Sequence, residues 1–203
     1  MIFRRTIFIG LVAFFACSIH SEAVSSPWDQ EALNQRLRQE AIAGVIPRIE
    51  KLILLGADIN AQAPHGESAL DYAIRFGRYG AALRLIQLGA NPNSEDDLGM
   101  TPLLRAASEA SASRIVDALL RAGADVNHRD FYGRTALIIA AQTDCARTVA
   151  VLLTRSKNVI KIDAEDDDGQ TASDLSQNGL IPYMLSLARE HQQVDAVNSP
   201  YLK

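Results

Sequence analysis

Apolar residues recur along this chain in triplets spaced i, i+3, i+4. They are Ile49, Leu52 and Ile53; Ala82, Leu85 and Ile86; Val116, Leu119 and Leu120; and Val149, Leu152 and Leu153. Each triplet is one face of a 3.6-residue helix, the face that packing buries. An earlier stripe, Leu33, Leu37 and Ala41, follows Ser26-Pro27-Trp28-Asp29. That tetrapeptide reads as a helix start, with Ser26 as cap and Pro27 at the first helical position. Leu180 to Arg189 predicts a last helix, and residues 191–203 form a polar tail expected to fray.

The first residues follow another rule. Arg4 and Arg5 precede Ile7 to Cys17, an uncharged run of eleven, too short for a bilayer crossing of about 20 residues. Ser21 and Ala23 put small residues three places and one place before a cut. This order predicts a secretory signal peptide over residues 1–23, cleaved between Ala23 and Val24. Two other readings stay open. Phe14-Phe15-Ala16-Cys17 is a partial lipobox, in which Cys17 would be lipidated, and the segment could also stay uncleaved as an anchor.

Glycines keep a fixed period through the body. Gly56-Ala57-Asp58, Gly89-Ala90-Asn91 and Gly123-Ala124-Asp125 lie 33 and 34 residues apart, each followed by an asparagine, Asn60, Asn93 and Asn127. A second series keeps the same period: Gly66-Glu67-Ser68-Ala69-Leu70, Gly99-Met100-Thr101-Pro102-Leu103 and Gly133-Arg134-Thr135-Ala136-Leu137, with a weaker copy at Gly169-Gln170-Thr171-Ala172. Ala73, Ala106 and Ala140 each lie five residues after the Ser or Thr. An unrelated helical bundle has no need of glycines at a fixed period; a repeat array does.

These residues make the chain resemble the ankyrin repeat family from about Trp28 to Arg189. The fold implied is an all-α solenoid of stacked helix-turn-helix units with β-hairpin loops. Its units would be an N-terminal cap at 27–62, then 63–95, 96–129 and 130–165, and a C-terminal cap at 166–190, within a domain of 24–190. Each slot has a physical reason. Ser68, Thr101, Thr135 and Thr171 can cap a helix, and Pro102 suits its first turn. Gly44 and Gly77 mark the turn inside a unit. Gly56, Gly89 and Gly123 supply the left-handed residue after the second helix. Three features depart from the pattern. The histidine of Thr-Pro-Leu-His is replaced by Asp71, Leu104, Ile138 and Asp174, so its hydrogen bonds cannot form as usual. Ser156-Lys157-Asn158 stands where Gly-Ala-Asp is expected. The stretch from Ser156 to Asp166 is longer than its counterpart, making that hairpin irregular, either as a tolerated insertion or as a contact site.

Charge narrows the partners. A net charge of −4 excludes a generally basic nucleic-acid binder, which must neutralise phosphates. Without residues 1–23 the chain keeps 18 basic and 23 acidic side chains, net −5, and Cys145 is its one cysteine, so no internal disulfide can form. His65, His128 and His191 are not at metal-ligand spacing and read as solvated surface residues. Placing Gly169 at the glycine of a calcium loop puts Ala164 and Leu175 at positions that must supply oxygen, so that reading fails. Cys145, near Arg147, reads as an incidental thiol, a redox role being the alternative. No catalytic site, metal or cofactor is expected.

The resemblance implies a protein-binding groove along the hairpin tips and first helices. Its variable slots are Pro64, His65 and Glu67 with Arg75 and Phe76; Asp97, Leu98 and Met100 with Ser108 and Glu109; and Phe131, Tyr132 and Arg134 with Gln142 and Thr143. Leu98, Met100, Phe131 and Tyr132 are apolar at positions that should be wet, which suggests a partner; the competing reading is that the tips pack against one another. The acidic tips (Glu95, Asp96, Asp97; Asp130; Glu165 to Asp168) either favour a basic partner or block edge pairing. The expectation is a noncatalytic monomer exported to a bacterial periplasm, where it binds a protein partner as an inhibitor or immunity protein. After signal removal it would have no membrane attachment unless Cys17 is lipidated. A secreted effector engaging host proteins, and an enzyme with an unrecognised site, are the alternatives.

Overall fold

The computed structural model describes residues 29–156, 159–177 and 179–197. Cys17, the Ala23–Val24 junction, Ser26, Pro27 and Trp28 lie outside the described residues. Among the described residues ten α-helices follow in pairs: α1 (Gln30–Ala43) with α2 (Ile46–Leu54), α3 (Ala69–Arg75) with α4 (Tyr79–Gln87), α5 (Pro102–Ala107) with α6 (Ser113–Arg121), α7 (Ala136–Gln142) with α8 (Ala146–Arg155), and α9 (Ala172–Leu175) with α10 (Leu180–Val197). First helices pack on first helices and second on second, so two helical layers enclose one core. This is the stacked all-α array that the resemblance implies.

Local chemistry sets the helix ends. Asp29 caps α1 through the Glu31 N–H. Ser68, Thr101 and Thr135 accept the N–H three residues on, at 3.3, 3.3 and 3.4 Å. After α2, α4 and α6 the chain turns through Gly56, Gly89 and Gly123. In each turn the N–H of the following alanine donates back to Leu52, Leu85 or Leu119, a two-bond cap that requires a left-handed residue. The matching turn within the fourth unit uses Asp144, at φ 56°, where earlier units have Gly44 and Gly77.

The core consists of small and branched aliphatics. Ala73, Ala106 and Ala140 are fully buried where first helices meet, and Ile49, Leu85, Leu119 and Leu152 are buried from the second-helix layer. Alanine at the contact lets backbones approach closely, so the layers fill without aromatic side chains.

Neighbouring units are also tied by side-chain amides. Asn60 Oδ1 accepts the Asn91 N–H, Asn93 Oδ1 that of Asp125, and Asn127 Oδ1 that of Lys161, each at 2.8 Å. Asn93 and Asn127 also donate from Nδ2 to Gly123 O and Val159 O. At the first unit two residues of α1 divide these bonds between them. Asn34 Oδ1 accepts the Asp58 N–H, and Gln30 Nε2 donates to Gly56 O. At the far end Asp163 holds the asparagine slot and takes Arg189 of α10 at 2.6 Å.

The departure expected at Ser156 is seen, and one expectation changes. Ser156 has no left-handed turn; its carbonyl accepts from Val159 and Ile160. The longer stretch seats Ile160 and Ile162 in the core, so the register to Asn127 survives. The polar segment from His191 to Val197 is helical as part of α10, since Gln192 Nε2 donates to Ile160 O at 3.2 Å; residues 198–203 lie outside the described residues. Asn93→Ala removes both amide bonds between the loops that follow α4 and α6. Its urea midpoint should drop by the equivalent of about 1–2 kcal/mol, whereas Ser94→Ala, which loses one long contact, should barely move it.

Candidate protein-binding face

Each of the last three hairpin tips is built on one carboxylate. Asp96 Oδ1 accepts the N–H groups of Leu98 and Met100, Asp130 Oδ1 those of Tyr132 and Arg134, and Asp166 Oδ1 those of Asp168 and Gln170, all within 3.0 Å. Gly66, Gly99 and Gly133 follow in left-handed turns. At Gly99 a Cβ would stand 2.9 Å from the Phe131 ring, so glycine is needed for contact as well as for φ. The first tip lacks the aspartate; Gln62 bridges it to the next by donating to Gly66 O and Glu95 O. Among the described residues the hairpins show only one isolated bridge pair, Glu165 with Thr171.

The tips are linked in series by backbone bonds. Asp97 N–H donates to His65 O, Phe131 N–H to Leu98 O and Asp167 N–H to Tyr132 O, at 3.0, 3.1 and 3.1 Å. The second of these bonds places Leu98 beside Phe131 and Tyr132, with exposures of 52, 68 and 57%. The Arg134 guanidinium lies 4.9 Å from the Tyr132 ring centroid, while its side chain is fixed to Asp130 at 2.7 Å. Phe131 thus leans on the neighbouring tip and still shows most of its surface. Pro64 and His65 are exposed, His65 lying 3.3 Å from Asp97. On the helices Arg75, Phe76, Ser108, Gln142 and Thr143 are exposed and Glu109 is half-buried.

Three side chains read as wet are not. Glu67 is buried and ion-paired with Arg75 at 2.5 Å, because the next unit's Arg105 closes over it. Met100 is half-buried and packs on the core. His128, read as solvated, is half-buried, and its Nε2–H donates to Gly99 O at 3.0 Å; a carbonyl only accepts, so that nitrogen carries the proton. The acidic tips change meaning too, since Asp96, Asp130 and Asp166 bind their own turns.

Sequence reasoning missed a buried charge cluster beside this face. Arg105 of α5 lies 2.7 Å from Asp96, 3.6 Å from Asp71 and 3.7 Å from Glu67. Asp71 stands in the family's histidine slot and closes a capping box of its own, its Oδ2 accepting both the N–H and the O–H of Ser68. Burial holds its carboxyl above the ordinary value, with the Ser68 hydrogen bonds and Arg105 pulling the other way. The one signal was Arg105 itself, a charge inside the apolar run Pro102–Ala107. Cys145 is buried, its sulfur 3.1 Å from Thr148 Oγ1. Among the described residues no three His, Cys, Asp or Glu side chains are grouped to hold a metal ion, and no helix is long and apolar enough to cross a membrane.

The family model described as ankyrin repeats (3 copies) matches residues 39–130 and 103–198. Among curated proteins the chain is similar to the Neurogenic locus Notch protein of Drosophila melanogaster, 43% identical over 74 residues, which are 36% of this chain and 3% of that protein. It is similar to human Neurogenic locus notch homolog protein 2, 40% identical over 74 residues, again 36% and 3%. It is also similar to human Neurogenic locus notch homolog protein 4, 49% identical over 57 residues, 28% and 3%. The matched stretch therefore spans 3% of the length of these relatives.

The buried cluster predicts a pH dependence. Asp71 titrates higher in the folded chain than its ordinary 3.8. Stability gained by protonating it is complete below 3.8 and lost as pH rises through the raised value. Asp71→Asn cannot ionise and keeps an oxygen for Ser68. The urea midpoint of the variant should therefore gain on the wild type as pH rises across that interval; a constant difference would contradict the assignment.

Proposed function

We propose, for a chain that belongs to the ankyrin repeat family, that its hairpin tips hold a protein partner at Leu98, Phe131 and Tyr132. Ankyrin repeats are in general protein–protein interaction modules, and the family is typically noncatalytic. The observation that carries the reading is the exposure of these three side chains on two tips joined by the backbone bond from Phe131 to Leu98. Clustered aromatics on a rigid surface are the usual material of binding hot spots, and a preformed frame lowers the ordering cost of association. Arg75, Phe76, Gln142 and Thr143 extend the surface along the first helices. The tip acids left over from turn building, Glu95, Asp97, Glu165, Asp167 and Asp168, favour a partner with basic groups around an apolar centre.

The compartment in this reading is the bacterial periplasm. Its support is the order of residues 1–23: a charged start, a short apolar run and small residues before Val24. There the protein acts by covering the partner's surface, as an inhibitor or immunity protein does, and it works without turnover of its own.

Replacing both Phe131 and Tyr132 by Ser tests the interface. Folding should stay within about 0.5 kcal/mol of wild type, as surface changes do. Calorimetric titration of a partner captured from the osmotic-shock fraction should weaken by about 2 kcal/mol or more, while Lys51→Ser on α2 leaves it unchanged. A double variant that unfolds, yet binds normally whenever folded, would make the aromatics packing residues. Export has its own check. Intact-mass spectrometry of protein released by osmotic shock should give a chain beginning at Val24, and a lipidated Cys17 or a full-length cytoplasmic chain would overturn it.

A further inference from the structure

A second surface lies on the outer faces of the second helices, away from every tip. Across α4, α6 and α8 runs a groove of about 650 Å³. Arg114, Asp117 and Arg121 line it from α6, at i, i+3 and i+7; Arg147, Val151 and Arg155 line it from α8, at i, i+4 and i+8. Both spacings put side chains on one helix face. Four guanidinium groups therefore meet a single carboxylate. Asp117 is already shared between Arg121, at 3.0 Å, and Arg155. Arg114 and Arg147 are exposed and have no ion-pair partner among the described residues. The floor between the charges is apolar, made by half-buried Leu83, Ala118 and Val151.

This basic groove belongs to a chain of net charge −4. Five of the exposed acids lie at the tips, on Glu95, Asp97, Glu165, Asp167 and Asp168, and none of the exposed acids lines the groove. A guanidinium is a planar fork that pairs with a carboxylate through two parallel hydrogen bonds. Two such forks beside an apolar floor suit a segment that carries carboxylates next to aliphatic side chains. A long polyanion fits less well, because the acidic remainder of the chain repels it and a phosphate backbone makes no use of the floor.

We propose that the groove across α4, α6 and α8 binds an acidic amphipathic segment of a partner protein, its carboxylates on Arg114 and Arg147 and its apolar side chains on Leu83 and Val151. This site is independent of the tips. The chain then holds two protein surfaces at once and works as an adaptor.

The test uses the full chain and a labelled synthetic helical peptide with Glu and Leu repeated on one face, measured by fluorescence anisotropy at low and physiological salt. The peptide should bind more weakly as salt rises. Arg114→Glu with Arg147→Glu should weaken it by about tenfold or more, with an unchanged circular dichroism melt, and the Phe131→Ser, Tyr132→Ser chain should bind it as wild type does. Arg114→Gln with Arg147→Gln keeps the test open should charge reversal disturb the fold. Equal binding by wild type and both arginine variants overturns the proposal, as does the absence of binding at low salt. Binding of polyglutamate or a DNA duplex as tightly as the peptide overturns it in favour of unselective counterion exchange. Sedimentation showing that the chain self-associates through the same arginines assigns the groove to a second copy instead.

Discussion

The structure depends on one contact made repeatedly, an asparagine amide reaching from the loop of one unit to the backbone of the next. In a repeat stack each unit touches only its neighbours, so any error in register is handed along the array. Apolar burial supplies most of the attraction but has no direction; faces of Ala, Leu, Ile and Val could slide against each other at little cost. An amide that accepts from one backbone N–H and donates to a carbonyl two residues away accepts only one alignment. Asn93 and Asn127 each make both bonds. The ends show what the contact is for. At the first described unit, Gln30 and Asn34 make one bond each to the loop after α2. At the last of these loops, Arg189 takes the carboxylate in the asparagine slot.

Aspartates do for the tips what asparagines do for the loops. A carboxylate oxygen accepting two N–H groups two residues apart fixes a turn with little strand pairing. Three tips built this way need only one backbone bond apiece to form a continuous edge. That economy changes how charge is read. Acids in the sequence of a tip suggest an electrostatic lure, yet those at 96, 130 and 166 are occupied by their own turns. The solvated remainder sits next to them, at 95, 97, 165, 167 and 168.

Much of this was legible because it is local. A Ser or Thr before a helix, a glycine after one and an alanine at a close contact act within a few residues of sequence, and each repeats at the period. The end of α10 was less so: polar residues His191 to Gln193 suggested fraying, but Gln192 finds the carbonyl of Ile160, 32 residues away. Glu67 and His128 were misread for the same reason. Their neighbours, Arg105 and Gly99, are a whole unit distant in sequence, and burial is decided there. Asp71 shows a subtler limit. Replacing the histidine was expected to abolish a hydrogen-bond network, whereas a carboxylate in that slot reaches back to Ser68 and builds another. Leu104 and Ile138, in the same slot of later units, pack into the core instead. The period fixes where a side chain goes, and its chemistry decides what it does there.

The buried cluster and the exposed aromatics are two sides of the same rigidity. Arg105 sits among three carboxylates of which one, Asp71, is disfavoured as an ion by its burial. Such clusters contribute little net stability, because desolvation offsets the attraction. They do tolerate only one arrangement, and here that arrangement binds the tip at Asp96 to the helices of two units. A tip held so firmly cannot fold its apolar residues inward. Leu98 is fixed by Asp96 behind it and by the Phe131 N–H beside it, and Phe131 is stopped at Gly99, the one residue thin enough to lie under its ring. The exposure of Leu98, Phe131 and Tyr132 is therefore set by the same contacts that hold the stack in register. Loosening the frame would let those side chains collapse onto the core, so the rigidity of the array is what keeps a binding surface presented.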